Sequence, residues 1–262
     1  MTAAVDHPTT VGAPIRRTEE VMGTVVSFDI RPGDVSREEV YLALAEARAG
    51  LHRADAVFST WKPNSPVSRL RRGELHLKDT PPDVAVVLEL CAVAHQRSDG
   101  WFDPWAMPGG VDPTGLVKGW AARNALRRIE RAGVAGAMVN AGGDVALSGA
   151  PEADRSWHIG VRDPWDPTRV IAVLEAEAAM ATSGAYERGD HVLNPRTGRP
   201  SSPIASATVT GPDLALADAF ATGLLAAGEP GLDWVWRIEG YDGLIVRPDG
   251  SMVGTSGIKL VH

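Results

Sequence analysis

The chain has little of several things. Among its 262 residues there is one cysteine, three tyrosines and four phenylalanines. A lone Cys91 can neither close an intramolecular disulfide nor build a cysteine metal cluster, which fits a reducing compartment. No run reaches the roughly 18 uninterrupted apolar residues that a membrane helix needs. The most apolar stretch, 214–228, is broken by Asp218 and Thr222. Residues 1–17 lack the apolar block of a secretory signal and have no cysteine for a lipid anchor. The expectation is therefore a soluble, cytoplasmic protein with a disordered tail over 1–17 and no membrane insertion. Basic excess is also missing: 26 Lys and Arg face 33 Asp and Glu, and the net charge of −7 weighs against nucleic acid as a main ligand. The 28 Gly and 19 Pro are too few for a collagen-like or disordered chain. Only tryptophan is plentiful, with eight residues. An indole can fill a core or form a flat wall for a planar ligand, and composition does not choose between them.

The pattern along the chain predicts one domain over 18–262. A Val- and Thr-rich strand starts at Glu20 and ends near Pro32. Ser36 and Glu39 form a capping box, and Val40, Leu44, Ala47, Leu51, Ala54 and Phe58 recur at helical spacing behind it. A second helix follows Thr80, with Pro81 in its first position and a stripe of Val84, Val87, Leu88, Cys91 and Ala94. Cys91 on that stripe reads as a small core residue. A third helix covers about 116–132 and stops at Gly133. Short β-like pieces come next, two helical patterns over 213–227 and 231–238 after them, and two closing strands at the end. Helices early and strands late, without βαβ alternation, predict the α+β class.

Four segments are candidates for chemistry. The first is Gly-rich and runs from Gly100-Trp101-Phe102-Asp103 through Asp112-Pro113-Thr114-Gly115 to Lys118, at a helix start whose free amides favour an anion. Lys118 in the first helical turn opposes the helix dipole unless an anion is bound, although a plain turn with a solvated lysine explains the pattern as well. The second is Gly142-Gly143-Asp144, either a turn or a place where a ligand approaches the backbone. The third holds Thr182-Ser183-Gly184, then His191, Val192 and Asn194-Pro195-Arg196-Thr197-Gly198, in a turn-rich region where catalytic groups collect. Taken alone, His191 reads as a surface or hydrogen-bonding histidine. The fourth is a helix on which Asp218 and Thr222 share a face. A buried carboxylate there needs a partner, either a structural hydrogen bond or a hard cation such as Mg²⁺. Both remain open on spacing alone.

Taken in order, these segments resemble the FAD:protein FMN transferases of the ApbE family. The matching pieces are Met22-Gly23-Thr24, Phe58-Ser59-Thr60-Trp61, Ser68-Arg69-Leu70, Gly100 to Asp103, Asp112 to Gly119, Gly142 to Asp144, Thr182 to Arg188, His191 to Gly198, and Ala217 to Thr222. The resemblance implies one ApbE-like domain of mixed or antiparallel sheets with packed helices. It further implies a Mg²⁺-dependent enzyme that moves the FMN half of FAD onto a Ser or Thr hydroxyl of a target flavoprotein and releases AMP. Met22, Trp61, Trp101, Phe102, Asp103, Asp112, Lys118 and Val192 would surround FAD. The Gly115 carbonyl with the Asp218 and Thr222 side chains would hold the metal. His191 would be the base for the acceptor hydroxyl, with Lys118 and Asp218 completing the catalytic set.

Three departures from the family pattern stand out. Trp61 replaces the usual tyrosine, and Asn194 replaces the aspartate before Pro-x-Thr-Gly. The lipoprotein signal common in the family is missing, which points to a cytoplasmic acceptor. The same residues would also serve an FAD pyrophosphatase that uses water as acceptor, or a non-catalytic FAD-binding protein.

Overall fold

A computed structural model describes residues 12–184, 192–200 and 204–261. The strand foreseen from Glu20 is half of a hairpin. Strands β1 (Ile15–Val21) and β2 (Thr24–Arg31) pair antiparallel around Met22 and Gly23, whose φ angles of 56° and 70° are both positive. A two-residue turn of that sign matches the twist of its strands. The tail expected over 1–17 therefore gives way to structure earlier: residues 15–17 are paired in β1 and Ile15 is buried, while residues 1–11 lie outside the described ones. The exposed charges of this edge strand hide it from a reading based on hydrophobicity.

Helix α1 (Arg37–Phe58) opens on the foreseen capping box, with the Ser36 hydroxyl accepting the Glu39 amide and the Glu39 carboxylate accepting the Ser36 amide. All six residues of its predicted stripe are buried. A short helix α2 (Pro66–Arg71), not anticipated, starts at Ser65, whose hydroxyl accepts the Ser68 amide at 3.0 Å. Helix α3 (Pro82–Arg97) begins one residue later than expected, with Pro81 as its N-cap. Helix α4 (Thr114–Glu130) begins two residues earlier.

The remaining elements are β3 (Gly136–Ala141), β4 (Asp144–Gly149), β5 (Trp157–Arg162), β6 (Val170–Ala176), β7 (Ala179–Gly184), β8 (Leu193–Asn194), β9 (Arg199–Pro200) and β10 (Ser206–Gly211). They are followed by α5 (Leu214–Ala227), α6 (Leu232–Trp236), β11 (Asp242–Val246) and β12 (Met252–Gly254). Eight strands form one sheet in the order β1-β2-β3-β4-β7-β10-β11-β12, with every neighbouring pair antiparallel. The α+β expectation holds. Among the described residues no helix is long and apolar enough to cross a membrane.

The period-two alternation of the strands assigns their faces. Ala137, Val139 and Ala141 on β3, Ala146 on β4, Ala179 and Ala181 on β7, and Ala207 and Val209 on β10 join the core that includes α1, α3, α4 and α5. Val145, Leu147, Met180 and Leu244 turn the other way, to a second cluster under the β5–β6 ribbon with Trp157 and Leu174. The alanines on the helical side matter because they let the helices lie close to the sheet.

Helices α4 and α5 approach each other closely at Gly119. A Cβ on Gly119 would lie 2.9 Å from the Asp218 Cβ and nearer still to the Leu214 carbonyl oxygen, both on α5. Without it, the Gly119 amide reaches the Asp218 carboxylate at 2.9 Å.

Two outcomes follow from this packing. Gly119→Ala gains helix propensity, worth about 1 kcal/mol, but must force the two helices apart. Overpacking of this kind costs about 1–3 kcal/mol before the lost carboxylate bond is counted. The net effect is a lower urea midpoint, and a midpoint equal to or above wild type would refute the packing argument. Cys91 is buried, and that burial pushes its thiol up to about 12. The native protein should resist a thiol reagent at pH 8 and react fully once unfolded. Because the folded value is raised, the thiol's contribution to stability is complete below about pH 8.5 and declines as pH rises towards 12.

Candidate functional site

The β1–β2 turn, the β3–β4 turn, the end of β7, the end of α1 and the start of α4 converge at one end of the sheet. All of these except the β3–β4 turn contribute lining residues to a cleft of about 630 Å³. Met22, Trp61, Trp101, Phe102, Asp103, Asp112, Gly115, Lys118, Val192, Asp218 and Thr222 all line it. These are all the site residues named from the sequence except His191, which lies outside the described residues.

The floor is polar and comes from three elements. Asp218, only 3% exposed, is in the second turn of α5, and Thr222 lies one turn further along the same face. The Thr222 hydroxyl is 3.3 Å from that of Ser183 on β7. Ser183 belongs to the Thr182-Ser183-Gly184 segment, and the sequence assigns it no role of its own. Its signal is alternation, which puts it with Ala179 and Ala181 on the helix-facing side of the strand. The third element is α4, whose Gly115 faces Thr222: a Cβ there would come within 3.5 Å of the Thr222 hydroxyl and 3.2 Å of the Phe102 ring.

Lys118 is the fifth residue of α4, at the start of the second turn and not in the first as expected. Its ammonium pairs at 2.7 Å with the buried Asp144 carboxylate at the start of β4. The other Asp144 oxygen accepts the Thr182 amide at 3.1 Å. An aspartate therefore offsets this cation at the edge of the cleft. The two glycines before it form the turn, with φ of 65° at Gly142 and 112° at Gly143. A Cβ on Gly142 would lie about 2.5 Å from the Thr24 hydroxyl, so this turn packs directly on the first residue of β2.

One wall is the segment between α3 and α4. The buried Ser98 hydroxyl accepts the Phe102 amide at 3.0 Å. The Asp103 carboxylate accepts the Trp105 and Ala106 amides at 2.9 and 3.0 Å. Asp112 accepts from the Thr114 amide and hydroxyl through one oxygen and from Arg71 through the other, at 3.0, 2.6 and 2.7 Å. Arg71 also bonds the Pro108 carbonyl at 2.7 Å. Both aspartates thus spend their carboxylates on holding the loop. Arg71 carried no sequence signal, because its partners are about forty residues away.

The mouth is formed by the end of α1, where Trp61 is 88% exposed, and by the β8–β9 hairpin. Asp55 and Lys62, not foreseen as site residues, pair with each other on the cleft wall. Asn194 uses its side-chain oxygen to accept the Arg196 amide at 2.9 Å, and its carbonyl to accept the Gly198 amide at 2.8 Å. An aspartate could make the same turn, so the family departure at this position leaves the hairpin's geometry intact.

Among the described residues no group of three His, Cys, Asp or Glu side chains is placed to hold a metal ion. The donor set on the floor consists of one carboxylate and two hydroxyls, with Gly115 packed closely against Thr222 and Phe102. Such a set suits a hard cation that completes its shell with ligand and water oxygens, and not a soft-metal site.

Comparison with known proteins agrees with the sequence reading. The ApbE family matches over residues 22–109 and 107–245. A relative from Rhodobacter capsulatus named FAD:protein FMN transferase is 35% identical over 203 residues, which is 69% of this chain and 38% of the relative. A relative of the same name from Escherichia coli is 30% identical over 156 residues, 55% of this chain and 44% of the relative. The matched part of this chain thus spans well under half the length of these relatives. Among solved structures, the ApbE protein from Thermotoga maritima superposes with a TM-score of 0.81 at 22% identity, covering 93% of this chain and 97% of that one. The flavin transferase ApbE from Vibrio cholerae gives 0.79 at 19% identity, covering 93% and 97%. With the family match running from the β1–β2 turn to the last core strand, this chain belongs to the ApbE family.

Proposed function

We propose that the cleft binds FAD and that the protein transfers its FMN moiety to a Ser or Thr hydroxyl of a target flavoprotein, releasing AMP. One observation carries this reading: the indoles of Trp61 and Trp101 and the oxygen-rich floor around Asp218 and Thr222 line the same cleft. A flat aromatic surface and a polyanion site are what a flavin nucleotide requires of its two parts. The names of the relatives agree with it.

In the transfer, the acceptor oxygen bonds to the phosphorus on the FMN side of the pyrophosphate. The bond to the bridging oxygen breaks, and AMP departs with that oxygen. The hydroxyl proton goes to a base, for which His191 is the candidate. Asp218, Thr222 and the Gly115 carbonyl would hold Mg²⁺, which when bound supplies Lewis-acid stabilisation of charge developing on the pyrophosphate. Lys118, held by Asp144, sets a fixed ammonium beside that charge. Trp101 and Phe102 turn apolar surface towards the ring system, and the β8–β9 hairpin carrying Val192 and Asn194 limits access of water.

The decisive assay incubates the protein with FAD and Mg²⁺, with and without a flavinylation-competent acceptor domain, and follows AMP, FMN and covalent flavin. The proposal requires covalent flavin that depends on the acceptor. Free FMN without acceptor would favour the pyrophosphatase, and intact FAD throughout would favour a carrier.

Two variants examine the floor. Asp218→Asn keeps an oxygen for the Gly119 amide but loses the charge, so it should fold with near-wild-type stability and transfer FMN about 10²–10³-fold more slowly. Wild-type turnover in a folded Asp218→Asn protein would remove Asp218 from the metal site. Asp144→Asn leaves Lys118 without its carboxylate. Breaking a buried pair costs up to about 3–5 kcal/mol, and partial exposure of the lysine reduces that to about 1–2 kcal/mol. Thermal melts should show the loss, and titration with FAD should show weaker binding. Unchanged affinity would mean that Asp144 does not position Lys118 against the phosphates.

A further inference from the structure

At the mouth, one contact ties the β8–β9 hairpin to the cleft wall. The Arg196 guanidinium lies 4.2 Å from the ring centre of Trp101, close enough for a cation–π interaction. Trp101 lines the cleft and Arg196 does not, so the guanidinium covers indole surface outside the cavity. Arg196 is exposed, and the turn that aims it is defined by Asn194, which accepts the Arg196 amide at 2.9 Å.

This contact joins two parts that need fixing. The hairpin has only two residue pairs, Leu193 with Pro200 and Asn194 with Arg199. A ladder this short is marginal on its own. Trp101 sits on the segment between α3 and α4, two residues after Asp99 and one after Gly100, both at positive φ (51° and 77°). The Trp101 indole is only partly buried against the core, so the rest of its surface depends on other contacts for its orientation. A planar, weakly hydrated guanidinium stacked on its outer surface fixes that orientation beforehand, and an ammonium does so less well.

We propose that Arg196 is a positioning residue: it pins the Trp101 indole as a preset wall of the cleft and thereby raises affinity for the planar ring of the flavin nucleotide. The affinity half of this rests on the reading of the cleft as an FAD site; the pinning half does not.

The test uses Arg196→Ala, Arg196→Lys, Trp101→Ala and the double variant Arg196→Ala/Trp101→Ala. Without ligand, Arg196→Ala should change the tryptophan emission and near-ultraviolet circular dichroism of the wild type. The same change should be absent between Trp101→Ala and the double variant. With FAD, Arg196→Ala should raise Kd and KM about two- to fivefold with kcat unchanged, the size expected of an exposed cation–π contact. Arg196→Lys should fall between, and the double variant should bind FAD no more weakly than Trp101→Ala. Equal weakening by Arg196→Ala in both backgrounds would mean that arginine touches the nucleotide itself, and would overturn the proposal. So would a ligand-free spectrum indifferent to Arg196. Failure of the wild type to bind FAD would instead refute the function proposed for the cleft, and the spectra would still decide whether Arg196 fixes Trp101.

Discussion

The cleft depends on two helices being closer than ordinary side chains allow. Gly119 on α4 leaves room for the Leu214 carbonyl and the Asp218 side chain of α5, and its amide is bonded to the Asp218 carboxylate. This contact helps to make a buried aspartate tolerable, because one of its oxygens has a donor that cannot move away. It also fixes the rotation of α5, so that Thr222 faces Ser183 and Gly115. Gly223, the next residue, lies against Phe102: a Cβ there would meet the Phe102 amide nitrogen at 3.2 Å. Small residues thus set both the floor of the cleft and the approach of its wall.

Charge is handled in the same local way. The chain is acidic overall, yet the proposed ligand is a polyanion, so long-range attraction does not help and the site must supply its own positive groups. Lys118 is one, and Asp144 offsets it when the site is empty. The pair lies at the junction of α4 with the β3–β4 turn, which fixes the ammonium to the sheet and not to a loop. Asp103 and Asp112 present no comparable problem, since loop amides and Arg71 already engage their carboxylates. A lining made of aspartates is therefore less repulsive to phosphate than a count of its charges suggests.

Much of this was legible in the sequence because it rests on local rules. The α1 capping box, the stripes of α1 and α3, the strands β3 to β7 and the shared face of Asp218 and Thr222 each follow from spacing within a few residues. What stayed hidden is non-local or masked by polarity. Strand β1 looks like tail because its exposed side is charged and only its partner β2 shows that it is a strand. Arg71 and Asp112 are brought together by α2, a helix too short to read from a stripe. The Lys118–Asp144 pair and the Ser183–Thr222 contact join elements 26 and 39 positions apart, a distance that no periodicity spans. The resemblance to a family assembled residues that spacing alone left as unrelated turns.

The two departures at the mouth fall on different physical terms. At Asn194 the interaction the hairpin needs is a side-chain oxygen that accepts the Arg196 amide, and an asparagine supplies it as well as an aspartate does. The change therefore bears on charge at the cleft lining and not on the shape of the hairpin. At Trp61 the side chain is 88% exposed, so its larger ring is not there to fill a core. A bare indole at the rim of an open cleft gains most when a flat partner covers it. The tryptophan excess of the composition thus divides by environment. Trp157 and Trp234 are buried in the fold, Trp101 is held on one side by Arg196, and Trp61 keeps its area for whatever enters.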